Sequence, residues 1–179
     1  FTQNGTEVVF KGRLTGNTAC ATNYTLTFTQ PITGHLRFKL NIDNSAVNYS
    51  ELAYSSTADE RFHGFGEQFS VLNMKGKTVP VLSEEGGVGR GHQPITAAVN
   101  LGSKGAAGNE LTTYYAVPQY ITNTNKSLFL ENTDYSVFDL IDVNRVRVRL
   151  FANQMTGRIL LGNSMLELIQ RFTDYTGRM

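Results

Sequence analysis

From His35 to Ile42 the chain alternates strictly. Leu36, Phe38, Leu40 and Ile42 fall on one side and His35, Arg37, Lys39 and Asn41 on the other, as a half-buried antiparallel strand requires. Tyr24, Leu26 and Phe28 alternate with Thr25, Thr27 and Thr29, and Val146, Val148 and Leu150 with Arg145, Arg147 and Arg149. Shorter β-type runs occur near 7–10, 51–54, 113–117, 119–121, 127–130 and 135–141. Many short strands joined by Asn, Gly and Thr turns predict a mainly β fold, an antiparallel β-sandwich.

One segment reads as helix. Ser164 opens a Ser-x-x-Glu capping box with Glu167, and Met165, Leu168, Ile169, Phe172 and Tyr175 recur at helical spacing before Gly177. This predicts a helix over 165–176 whose apolar stripe must pack on the sandwich or on a further segment. The glycine-dense stretch from Ser83 to Gly108 shows little periodicity and reads as long loops. No repeat of solenoid length is visible.

With 179 residues, 40% apolar and 11% aromatic, the chain is long enough for one sizeable core. The net charge of +1, from 16 basic and 15 acidic residues, supplies no global field for nucleic acid or an anionic membrane. No apolar run approaches the roughly 18 to 20 residues of a membrane span, so a soluble domain is expected. A single cysteine, Cys20, excludes an internal disulfide. Sequons at Asn4, Asn23, Asn48 and Asn125 point to the secretory pathway or the exterior, any signal peptide lying outside a chain that starts at Phe1.

Several motifs fail on their context. Gly64-x-Gly66 lacks the third glycine and the following helix of a dinucleotide site, and Gly76-Lys77-Thr78 lacks the first glycine of a phosphate loop. His35, His63 and His92 show no metal-ligand spacing, so neither metal nor cofactor is expected. His35 is expected to face solvent, and His63 to pack beside a loop entrance. Arg145, Arg147 and Arg149 form either a solvated outer face or an interface or anion site. Glycoside hydrolysis needs two opposed carboxylates, and the adjacent Glu84 and Glu85 diverge on an extended backbone. Glu67 and Gln68 offer an acceptor and an amide to sugar hydroxyls, or else brace the glycine-rich loop.

The order of residues from Glu60-Arg61-Phe62-His63-Gly64-Phe65-Gly66-Glu67-Gln68-Phe69-Ser70, through Lys75-Gly76-Lys77-Thr78-Val79-Pro80, to Gly87-Val88-Gly89-Arg90 resembles the N-terminal domain of family 31 glycoside hydrolases. It is most similar to the branch containing sulfoquinovosidases and related α-glycosidases. The ending Phe172-Thr173-Asp174-Tyr175-Thr176-Gly177-Arg178 looks like the helix leading into that family's catalytic barrel. The resemblance implies a galactose-mutarotase-like sandwich over 1–163, a connecting helix over 164–179, and retaining α-glycoside hydrolysis by two aspartates on a following (β/α)8 barrel. Neither aspartate's motif occurs here, and a barrel takes about 250 residues, so it is expected either in a continuation of the gene product or not at all. Carbohydrate and that barrel are the implied partners, with the Gly86–Gly91 loop shaping the pocket. Glu67, Gln68 and Arg90 are the implied sugar-contacting residues at its edge, while Glu84-Glu85-Gly86-Gly87 departs from the Glu-Gln-Gly form of that branch. The alternatives are a self-standing carbohydrate-binding module, suggested by eight tyrosines and polar loops, and an aldose mutarotase, which needs a positioned acid and base.

Overall fold

The computed structural model describes residues 1–14, 22–84 and 94–178. In chain order the strands are β1 (Thr2–Asn4), β2 (Glu7–Leu14), β3 (Thr22–Ile32), β4 (His35–Ile42), β5 (Ser50–Ser55), β6 (Phe62–Gly66) and β7 (Thr78–Val81). After helix α1 (Pro94–Ser103) come β8 (Ala116–Thr122), β9 (Lys126–Leu130), β10 (Ser136–Asp139), β11 (Arg145–Leu150), β12 (Gln154–Leu161) and helix α2 (Met165–Thr176). The fold is mainly β, with antiparallel sheets and the expected C-terminal helix. Its residues group into two compact units, one of Phe1–Ser50, Ile121–Asp134 and Leu150–Met179, the other of Glu51–Tyr120 and Tyr135–Arg149.

In the first unit the strands run in the order β1-β2-β3-β4-β12-β9. The register sets Phe28 opposite Phe38, Phe38 opposite Gly157 and Gly157 opposite Leu130, so the alternating apolar residues share one face. The same register aligns His35 with Leu160 and Arg37 with Arg158, and Arg158 with Phe129, on the opposite face. Strand β12, which carries this pairing, has no counterpart among the expected strands, because Gly157 and Arg158 interrupt its alternation.

Helix α2 covers that second face. Leu168, fully buried, joins Leu160 and Phe129 in a cluster against which Phe172 packs, and burying one such leucine stabilises by about 1.5–3 kcal/mol. Ser164 Oγ accepts from the Glu167 amide at 3.2 Å, and the Gly177 amide closes the helix on the Thr173 carbonyl at 2.8 Å. The capping box and Gly177 therefore act as the sequence indicates, and the helical stripe meets the sheet of its own unit.

Beneath α2 lies a polar knot. Glu131 accepts from Arg37 through Nε and Nη2 at 2.9 and 2.8 Å, from Arg158 Nε at 2.6 Å and from the Tyr175 hydroxyl at 3.0 Å. The Arg158 guanidinium also stacks 3.7 Å over the Tyr175 ring. His35 lies here too and is buried, 2% exposed, with no partner for its Nδ1. This corrects the expectation of a solvent-facing histidine: alternation assigns His35 to the polar face of β4, but polar does not mean wet once a helix packs over it.

The second unit holds a four-stranded sheet in the order β5-β11-β10-β7, and β6 beside β8. These layers pack face to face through aromatic rings, Phe65 on Phe138 at 5.1 Å and Tyr120 on Phe138 at 6.0 Å between centroids, while Phe62 meets Tyr120 at 5.1 Å within the β6–β8 pair. Burial pushes the Tyr120 phenol well above its ordinary pKa, and its hydroxyl hydrogen-bonds that of Tyr54. Val146, Val148 and Leu150 are fully buried, as the alternation in 145–150 requires.

Helix α1 corrects the loop reading of 83–108. Pro94 suits a first helical position, where its missing N–H costs nothing, and the alanines that follow favour helix. Ile95, Val99 and Leu101 are exposed at 60%, 43% and 90% and only Thr96 is buried, so no apolar stripe marked the helix in the sequence. Among the described residues no helix is long and apolar enough to cross a membrane.

Candidate functional site

The motif from Phe62 to Ser70 begins on β6 and leaves it by an unusual backbone path. Gly64, Phe65 and Gly66 all have positive φ, at 136°, 67° and 89°. For Phe65 this costs roughly 1–2 kcal/mol. The cost is offset by burial of its ring between Tyr120 and Phe138. At Gly66 a Cβ would stand 1.9 Å from the Tyr115 carbonyl oxygen, so only glycine fits. Such strain at the end of a strand is a physical pointer to function.

The turn that results opens a cleft of about 390 Å³, within the size range of small-ligand sites. His63, Gly64 and Gly66 line one part of it, the run from Gln68 to Leu72 another, together with buried Met74. His63 donates from Nδ1 to the Leu72 carbonyl at 2.7 Å, which leaves Nε2 of the neutral ring as an acceptor. It packs at the loop entrance as the sequence suggests. Gln68 Nε2 donates to the Phe65 and Leu111 carbonyls, both at 3.4 Å, so its amide braces the turn. Its Oε1 has no partner among the described residues.

Glu67 sits next to this wall without lining it. Its backbone is held twice, by its own amide on the Tyr115 carbonyl at 3.0 Å and by Thr113 Oγ1 on its carbonyl at 2.7 Å, while its side chain is exposed. Arg90, the Gly86–Gly91 loop, Glu85, His92 and Cys20 lie outside the described residues. Phe69 and Leu72, 59% and 83% exposed, give the cleft an apolar rim, and Tyr114 and Tyr115 are exposed as well.

The lysines of Lys75-Gly76-Lys77 turn away from this cleft. Lys75 Nζ donates to Ser56 Oγ at 2.8 Å, the Thr57 carbonyl at 3.0 Å and the Val143 carbonyl at 2.8 Å, and sits 5.3 Å from the Phe62 ring centroid. Burial draws its amine below the ordinary lysine range against the opposing charges of Glu60 and Asp142. With all three protons committed it is a clamp between loops, a role that sequence reasoning missed. Arg149 is likewise engaged, with Asp139 at 2.8 Å and Glu51 at 3.1 Å, and Arg147 stands 3.8 Å from Asp139. Arg147 and Arg149 thus carry paired charges on this outer face, and Arg145 is exposed.

No carboxylate lines the described cleft, and His63 is its one titratable side chain. A glycosidase needs an acid and a nucleophile or base on opposite sides of the scissile bond. This cleft by itself provides a wall, an amide oxygen and an imidazole.

No protein-family model matches the chain. It is similar to the sulfoquinovosidase of Escherichia coli, 26% identical over 145 residues that make up 81% of this chain and 21% of that enzyme. The sulfoquinovosidase of Agrobacterium fabrum is 26% identical over 152 residues, 79% of this chain and 23% of the enzyme. In fold it is similar to a family 31 sulfoquinovosidase from E. rectale solved with an aza-sugar inhibitor, with a TM-score of 0.79 and 21% identity over 93% of this chain and 26% of that one. The chain thus spans 21–23% of the length of these two curated relatives. In sequence and in fold, the chain resembles the N-terminal β-sandwich domain of family 31 glycoside hydrolases.

Proposed function

We propose that this chain is the accessory N-terminal domain of a retaining α-glycosidase, and that its His63–Leu72 turn forms one edge of a sugar pocket completed by a (β/α)8 barrel. The supporting observation is the strained, braced turn around a cleft that has no carboxylate among its described lining residues. A wall is rigid where it must be and leaves the chemistry to another segment. The exposed rim of Phe69 and Leu72 suits burial against a second domain. Helix α2, capped at both ends and tied to Glu131 through Tyr175, is the connecting helix toward that barrel.

Gln68 contributes its Oε1 as an acceptor for a sugar hydroxyl, with Glu67 and Arg90 as further contacts at the pocket edge. In the longer protein carrying this domain and its barrel, Gln68→Ala is expected to lower kcat/KM for an aryl α-glycoside about tenfold, mainly through KM, as loss of one hydrogen bond to bound sugar requires. Unchanged kinetics in a folded variant would remove Gln68 from the site. A loss confined to kcat would assign it to the chemistry instead.

A further inference from the structure

A second cavity in the same unit shares no lining residue with the His63–Leu72 cleft. It is an open groove of about 590 Å³ where β7, the start of β10 and the segment after α1 meet. Pro80, Val137 and Leu111 give it an apolar floor, and Tyr135, 40% exposed, an aromatic wall. Its polar side chains are held in place by the protein. Glu110 Oε1 accepts from Lys77 Nζ at 3.0 Å, and its carbonyl accepts from Ser70 Oγ at 2.5 Å. Asn109 Oδ1 accepts from the Leu111 amide at 2.8 Å, and the Asn100 side chain spans the Ala107 amide and the Gly108 carbonyl, both at 2.9 Å.

What these bonds leave over is an acceptor, a donor and a hydroxyl that is both. Glu110 Oε2, Asn109 Nδ2 and the Thr78 hydroxyl have no hydrogen-bond partner among the described residues, and all three residues line the groove. The Lys77 charge cancels that of Glu110, so the groove favours a neutral ligand over an anion or a cation. Fixed acceptors and donors beside an apolar and aromatic surface match a molecule with a ring of hydroxyls on one side and C–H groups on the other. Because the side chains are already oriented, little entropy is lost when they bind.

We propose that this groove is a second carbohydrate-binding site, taking a neutral oligosaccharide through Thr78, Asn109 and Glu110 with a sugar ring against Tyr135. The proposal does not rest on the pocket-edge function of the His63–Leu72 turn. Titration of the 179-residue chain with neutral α- and β-linked glucose trisaccharides, followed by 1H–15N NMR, tests it without any assay of hydrolysis. Saturable shifts are expected at the backbone amides of Asn109, Glu110 and Leu111 and the side-chain amide of Asn109, with affinity of order 1 mM. Glu110→Gln, which keeps the shape, and Tyr135→Ala should each weaken binding roughly tenfold with the rest of the spectrum in place.

The absence of saturable shifts at tens of millimolar trisaccharide, or shifts confined to His63–Leu72, would overturn the second site. Binding untouched by both variants would do the same. None of these results bears on Gln68 in the longer protein, so the two readings fail separately.

Discussion

Glu131→Ala is expected to destabilise the first unit by about 3–5 kcal/mol, the cost of breaking a largely buried ion pair from one side. Its carboxylate is the common acceptor for Arg37, Arg158 and Tyr175, and the Glu131 and Arg158 side chains are 14% and 9% exposed. Removing it leaves the buried Arg158 guanidinium without this counter-charge, with the partly exposed Arg37 guanidinium beside it. Urea unfolding at neutral pH measures this, and a loss under 1 kcal/mol would show that water compensates the arginines. The same knot sets the response to acid. Burial pushes the Glu131 carboxyl upward, but the hydrogen bonds from Arg37, Arg158 and Tyr175 together outweigh it and hold the group below its ordinary value of 4.5. That stabilisation is complete above 4.5 and is lost as the pH falls through the lower folded value. His35 adds to the effect from a higher pH. Burial first, then the charges of Arg158 and Arg171, lower its pKa from 6.5 against the pull of Asp174. Below 6.5 the unfolded chain therefore binds the proton more readily than the folded one, and stability declines as the pH drops toward the folded value. A urea midpoint flat from pH 7.5 down to about pH 5 would contradict the His35 assignment, and one flat from about pH 4.5 down to about pH 2 would contradict that of Glu131.

Gly66→Ala is the second large effect, at about 2–5 kcal/mol, from adding roughly 1–2 kcal/mol of left-handed strain to the 1–3 kcal/mol of an overpacked contact. The new methyl would meet the Tyr115 carbonyl oxygen at 1.9 Å, and that backbone is itself held by the Glu67 amide. Gly76 provides the control. Its φ is +83° but nothing lies within 4 Å of its Cβ position, so Gly76→Ala should cost only the strain, about 1–2 kcal/mol. Thermal unfolding of the two variants separates collision from strain, and equal losses would mean that the β6 turn relaxes away from Tyr115. The collision should also widen or close the cleft, because Gly66 lines it together with Gln68.

The sequence announced the half-buried strands most clearly. His35–Ile42 and Arg145–Leu150 have the bounds that alternation marks, since one face of each is apolar over its full length. The α2 helix was legible for a different reason, its capping chemistry at Ser164 and Glu167. Strands whose alternation breaks were not legible. β12 carries Gly157 and Arg158 in the middle of its sheet, and β7 has Pro80 on an edge, where a missing N–H is tolerated. α1 escaped because glycines flank it and its apolar residues do not gather on a buried side.

At the site, the motif from Phe62 to Ser70 pointed to the right turn, but not to what each residue does there. Spacing alone does not reveal that Gln68 bonds two carbonyls or that Lys75 ties its own loop to two others, because their partners lie 40 and more residues away in the chain for Leu111 and Val143. The burial of His35 was hidden likewise, since the helix covering it comes more than a hundred residues later. Long-range contacts set these roles, and periodicity reports only local ones.

The most direct measurement is release of the aryl group from a panel of aryl α-glycosides by the purified 179-residue chain. A domain that supplies only one wall of a pocket should give no release above the uncatalysed background at any pH from 4 to 9, even at protein concentrations where the chain is folded by circular dichroism. Turnover that follows the chain through purification and is abolished by substitution of His63 or Gln68 would mean that this sandwich carries its own catalytic machinery.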